Sequence, residues 1–154
     1  MIGGAGETYH AGVIVPDIEA AMQQYTSALG LTWCTLIDRD LPVIIAGGPE
    51  TVRSRFTYSR EGTTHLELVE ENKETIWRVG DGLHHAGRWT EDLPNDMARL
   101  EAAGLPCAMS GRSTRSGRPS AFSYHSLPSG GYLELVEIRM QPAFDRWMAG
   151  GDFA

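Results

Sequence analysis

The chain of 154 residues repeats itself, and an internal repeat restricts the fold to two copies of one supersecondary unit. Laying residues 9–22, YHAGVIVPDIEAAM, over residues 84–97, HHAGRWTEDLPNDM, aligns His10 with His85, Ala11 with Ala86, Gly12 with Gly87, Asp17 with Asp92 and Met22 with Met97. The offset is constant across the block. A slightly shorter offset aligns ALGL (28–31) with AAGL (102–105), and a shorter one again aligns HLELVE (65–70) with YLELVE (132–137). Two modules follow, 1–79 and 80–138, with a tail over 139–154.

Each module opens on an alternating apolar stretch (9–15 and 83–89), which reads as a strand, and continues through a turn bearing Asp17 or Asp92. A helix is expected over 18–29, where Ile18, Ala21, Met22, Tyr25 and Leu29 form one apolar face. Its counterpart over 93–103 carries Leu93, Met97 and Leu100, and both helices run into glycine, the usual helix terminator. Two or three more strands complete each module, so the class is α+β with two tandem βαβββ modules. In the tail, Phe144, Trp147 and Met148 are spaced for a short amphipathic helix that covers a sheet edge.

Composition narrows the function. A formal net charge of −7 argues against a nucleic-acid or anionic-membrane binder. No apolar run reaches a membrane span of about 18 residues, and the start MIGGAGE lacks a signal peptide's apolar stretch. Cys34 and Cys107 have no metal-type spacing, so a reducing cytoplasm fits.

The repeat also picks out chemistry. Side chains two apart on a strand share a face, so His10, Gly12 and Ile14 point one way, as do His85, Gly87 and Trp89, while His84 is expected on the opposite side. Glu67 and Glu134 each lie between leucines and so face away from them. An inward carboxylate needs a partner. A lone strand histidine or glutamate is ordinarily a structural residue, but four at equivalent repeat positions make a two-nitrogen, two-oxygen set suited to one divalent cation: zinc, nickel, cobalt, manganese or iron.

With His at the start and Glu in the last strand of each βαβββ unit, the chain resembles the vicinal oxygen chelate superfamily, which includes glyoxalase I, methylmalonyl-CoA epimerase, extradiol dioxygenases and bleomycin-resistance proteins. Within it, YHAGVIVPDIEAAMQQYTSALGL (9–31) looks like the opening of the epimerases, and FSYHSLPSGGYLELVE (122–137) resembles their stretch with a histidine before Gly-Gly. His125 is followed by Ser126 and Leu127 rather than the epimerases' Pro-Lys, so coenzyme A specificity does not carry over. The resemblance implies an open, cup-like mixed sheet around a divalent metal held by His10, Glu67, His85 and Glu134. It further implies a homodimer and an isomerase or epimerase that moves a proton through a metal-stabilised enolate of a small-molecule carbonyl substrate, a bulky apolar ketone or an acyl thioester. An iron ring-cleaving dioxygenase, a glyoxalase I-type lyase and a drug-binding resistance protein are the alternatives.

A proton-transfer enzyme needs a base near the reacting carbon. The candidates are Glu134, Glu67, His125 and Glu50. Trp89 is expected beside the metal, with Tyr58, Phe56 and His65 lining the cup and Trp77 extending it, whereas Trp33 packs after the first helix. The loop SGRSTRSGRPS (110–120) offers Arg115 to an anionic group.

Overall fold

The structure, a computed structural model, describes residues 6–153, so the glycine-rich start lies largely outside the described residues. The first module is β1 (Thr8–Val15), α1 (Ile18–Leu29), β2 (Ile37–Ile45), β3 (Gly48–Tyr58) and β4 (His65–Glu70). The second repeats the order as β5 (His85–Thr90), α2 (Leu93–Ala102), β6 (Cys107–Arg112), β7 (Pro119–Ser126) and β8 (Tyr132–Glu137). A 3-10 turn (Ile138–Met140) leads into α3 (Gln141–Met148). No helix among the described residues is long and apolar enough to cross a membrane.

The helices start and stop where local chemistry requires. Asp17 caps α1 by accepting from the Ala20 N–H, and Asp92 caps α2 by accepting from the Asn95 N–H. At the far ends Gly30 and Gly104 take φ of 70° and 87°, the left-handed conformation that glycine adopts without steric penalty. Ile18 and Ala21 of α1 pack on Leu68 of β4; Leu93 and Met97 of α2 pack on Leu135 of β8. Each helix thus covers the leucine side of its last strand, which leaves Glu67 and Glu134 on the inner side.

The sheet runs β1-β4-β3-β2-β6-β7-β8-β5 and closes back on β1. Parallel pairs β1/β4 and β5/β8 sit at one seam, where β1 and β5 meet antiparallel. At the other seam, Val43–Ile45 of β2 meets Met109–Gly111 of β6. The cup is therefore walled all the way round. A closed ring leaves no edge to protect, so the tail does not cover an edge as its sequence suggested. Instead Phe144 and Trp147 of α3 bury themselves with Tyr9, Tyr58 and Trp89 inside one end of the ring. The Trp147 indole N–H donates to the Thr35 carbonyl, pinning the helix there.

Candidate metal centre

Four buried side chains converge inside the ring: His10, Glu67, His85 and Glu134, with one donor atom of each within 4.8 Å of every other. His10 Nε2 lies 2.8 Å from Glu134 Oε2 and 3.2 Å from Glu67 Oε2; His85 Nε2 lies 2.8 Å from Glu67 Oε2 and 3.2 Å from Glu134 Oε2. The two Nε2 atoms are 3.1 Å apart. Ligands about 2.1 Å from an ion and at right angles stand about 3.0 Å apart, so these separations suit donors sharing one cation. The donor set fits a divalent ion in chemistry as well, because two buried carboxylates need positive charge. All four donors come from one chain.

Pairing between the first strands of the modules explains the convergence. His10 stands opposite Gly87, and His85 opposite Gly12. A Cβ on Gly12 would fall 1.9 Å from His85 Cε1, and one on Gly87 would fall 1.8 Å from His10 Cε1. Each glycine clears the space that the other module's imidazole fills. The His-x-Gly spacing, repeated at 10–12 and 85–87, is thus one device: an imidazole and a vacancy for its twin.

The remaining ring nitrogens are wired so that Nε2 faces the centre. His84 Nε2 lies 2.9 Å from the Ile76 carbonyl, which only accepts, so that nitrogen carries the proton. Burial, followed by the neighbouring His85, lowers the His84 pKa and keeps its ring neutral. His84 Nδ1 must then accept, and His85 Nδ1, 2.8 Å away, donates to it. On the other side His10 Nδ1 lies 3.2 Å from Tyr58 Oη. Such outer hydrogen bonds fix tautomer and orientation in metal-binding histidines.

Without a cation the cluster holds protons. Burial opposes charge on His85, but the hydrogen-bonded Glu134 and Glu67 outweigh it and raise its pKa to about 9. His10 shifts up for the same reasons. Glu134 is held down to about 2, burial being overcome by His10 and His85, and Glu67 is lowered likewise. The carboxylates stay ionised at any ordinary pH.

A cavity opens over the centre, with Glu67 and Glu134 in its wall beside Phe56, Tyr58, Phe122 and Tyr124. Its free space is about 60 Å3. Met140, Phe144 and Phe153 also line the cavity and limit the bulk of what enters beside the centre. The tyrosines are equivalent in the repeat: Tyr58 pairs with Glu67, and Tyr124 with Glu134. Burial raises both phenols well above their ordinary pKa, so they remain neutral donors.

The model of the glyoxalase/bleomycin resistance protein/dioxygenase superfamily matches residues 9–122. The chain belongs to that superfamily. Among solved structures, methylmalonyl-CoA epimerase from Mycobacterium tuberculosis is 17% identical with a TM-score of 0.57, covering 86% of this chain and 88% of its own. A Streptomyces coelicolor methylmalonyl-CoA epimerase in complex with 2-nitronate-propionyl-CoA is 19% identical with a TM-score of 0.57, covering 87% and 95%. A hypothetical protein from Bacillus halodurans is 18% identical with a TM-score of 0.58, covering 85% and 93%. At these identities the likeness is one of fold. No curated protein matches the chain in sequence.

Within this superfamily fold, several residues singled out from sequence stand away from the centre. His125 is fully buried on the outer side of β7, bonded to Ser123 Oγ and the Leu105 carbonyl just after α2; strand alternation gives the inner side to Phe122 and Tyr124. Glu50 is exposed, eight residues along β3 from Tyr58, about 26 Å of strand at about 3.3 Å per residue. Arg115 is exposed at the tip of a β6–β7 hairpin, since strand takes up much of the expected loop. Trp89 shares the His85 face but stacks on Tyr9 at 3.9 Å and edge-on to Phe144, so it fills the core below the cavity. His65 bonds the Ser59 carbonyl and does not line the cavity. Tyr58, Phe56 and Trp77 do line it, and the Trp33 indole bonds α1.

Two contributors escaped sequence reading. His84 turns toward His85 rather than away, and Tyr124 joins the wall. The second had a signal: Phe56-Thr57-Tyr58 and Phe122-Ser123-Tyr124 are one more copy of the repeat.

Proposed function

We propose that this protein is a divalent-metal-dependent isomerase or epimerase that withdraws a proton from the carbon beside a substrate carbonyl and returns it. The observation that carries this reading is the convergence of His10, Glu67, His85 and Glu134 on one point, with the two glutamates in the wall of a cavity. A bound cation supplies Lewis acidity to the substrate oxygen. The chain supplies the rest. Glu134 or Glu67, each ionised and facing the cavity, accepts the proton from carbon. Tyr124 accepts from the Trp77 indole N–H and keeps its own hydroxyl proton to donate toward substrate. The aromatic wall excludes water from the exchanging proton. Four donors, rather than the two histidines and one carboxylate of the iron dioxygenases, favour the isomerase, and a complete donor set favours it over a simple binding protein. A cytoplasmic homodimer belongs to the same reading.

The test combines metal content with solvent-deuterium exchange into a panel of carbonyl acids. About one divalent ion per chain, lost in His85→Ala, is expected, with exchange abolished in Glu134→Gln or Glu67→Gln while metal is retained. Protein that stays metal-free and resists loading would sink the reading.

A further inference from the structure

The inner face of β2 carries Ile37, Leu41 and Val43, and in the middle of that apolar series stands Arg39. Its neighbour Asp38 is taken by Arg53 and Arg55, and strand alternation turns Asp40 to the opposite face. Among the described residues the Arg39 guanidinium meets no carboxylate or carbonyl; its contacts are the rings of Phe56 and Phe153, whose centroids lie 5.9 and 5.4 Å from Cζ. Cation–π contact of this kind holds a guanidinium against the rings and engages none of its N–H donors with a protein acceptor. Arg39 keeps solvent-exposed surface, and desolvation of its guanidinium beside the rings lowers its pKa.

Arg39 lines the same cavity as Glu67 and Glu134 and is the one cationic side chain among the described residues that line it. It pairs with Ser54 across β2 and β3 yet leans over Phe56, two residues nearer Tyr58, which is the partner of Glu67. Two residues of strand are about 7 Å. We infer that Arg39 is an anion subsite, and that the substrate is a carbonyl compound whose far end carries a carboxylate, separated from the reacting carbonyl by a slim apolar spacer of about three or four atoms. A planar guanidinium matches a carboxylate by paired hydrogen bonds, and the narrow cavity suits a carboxylate better than the larger phosphate. Phe56 and Phe122 set the spacer's apolar surroundings. The inference rests on the metal-dependent reading above and names its substrate class.

The test uses metal-loaded protein and two probes: glutaric acid monohydroxamate, which presents vicinal oxygens at one end and a carboxylate at the other, and its methyl ester. Wild type should bind the acid about 10- to 100-fold more tightly than the ester, the effect of hydrogen bonds to a charged group. Arg39→Met, which keeps the apolar stem, should bind both equally, and Arg39→Lys should restore part of the preference. Equal binding of acid and ester by wild type, or a preference that survives in Arg39→Met, overturns the anion subsite while leaving the metal centre standing. Failure of both probes to bind loaded wild type overturns the metal-dependent reading and the subsite with it. Should Arg39→Met fail to fold, the wild-type ratio and the lysine variant still decide.

Discussion

Gly12 and Gly87 show how little material decides the centre. Neither has a positive φ, so alanine at either position suffers no backbone strain, and its effect reports the clash with the facing imidazole. Gly12→Ala should displace the His85 ring, abolish metal retention, and cost about 1–3 kcal/mol of stability from overpacking. Metal content and denaturant unfolding measure the two effects; an alanine variant that still loads metal would show that the ring needs no such space. His84 acts at one remove. His84→Ala deprives His85 Nδ1 of its acceptor, and apparent metal affinity should fall about 10- to 100-fold, as for other outer-layer partners. Competition with a chelator reads this directly, and unchanged affinity would make the contact incidental. His10 and His85 were legible as a pair from the repeat, but the side on which His84 lies was not. His84 precedes the first residue of β5, so strand alternation does not govern it.

Among the elements, β4 and β8 were readable because leucine and glutamate alternate and only one side can lie under a helix. Strand β1 was less so. Thr8 faces Arg88 while His10 faces Gly87, a bulge that leaves Tyr9 extra and turns it inward beside His10. Helix α3 was expected from its spacing, whereas its berth inside the ring depends on residues from both modules. Trp147 has no exposed surface, so Trp147→Ala should destabilise the protein by about 3–5 kcal/mol. Because none of the four donors lies on α3, the folded variant should still bind one ion per chain. Denaturant unfolding and metal analysis separate these effects; loss of metal from folded protein would mean that the plug also shapes the centre.

For the whole molecule, the proposed metal centre should couple ion uptake to pH. In metal-free protein His85 keeps its proton up to about pH 9, and His10 is shifted upward too, while both glutamates are already ionised. An ion binds only the bare imidazole nitrogen, so uptake below that pH expels protons from the histidines and none from the carboxylates. Apparent affinity should therefore rise with pH, about tenfold per unit for each proton displaced, with the His85 contribution ending above about 9. Calorimetric titration in buffers of different ionisation heat counts those protons. Affinity independent of pH below 9 would contradict the assigned charges.

Repeated residues determined that there are two βαβββ modules and that one His and one Glu of each belong together, since equivalent positions in a repeat occupy equivalent places. Periodicity determined which side of each strand is inward. Only the tertiary structure decided that the ring closes, that Gly12 and Gly87 lie under the opposite imidazoles, that Arg39 stands in the cavity wall, and that His125 does not. Those facts depend on how strands far apart in sequence pair, and on which side of β7 receives α2. Local patterns carry no information about either, because they record each strand's two faces and not the neighbours those faces meet.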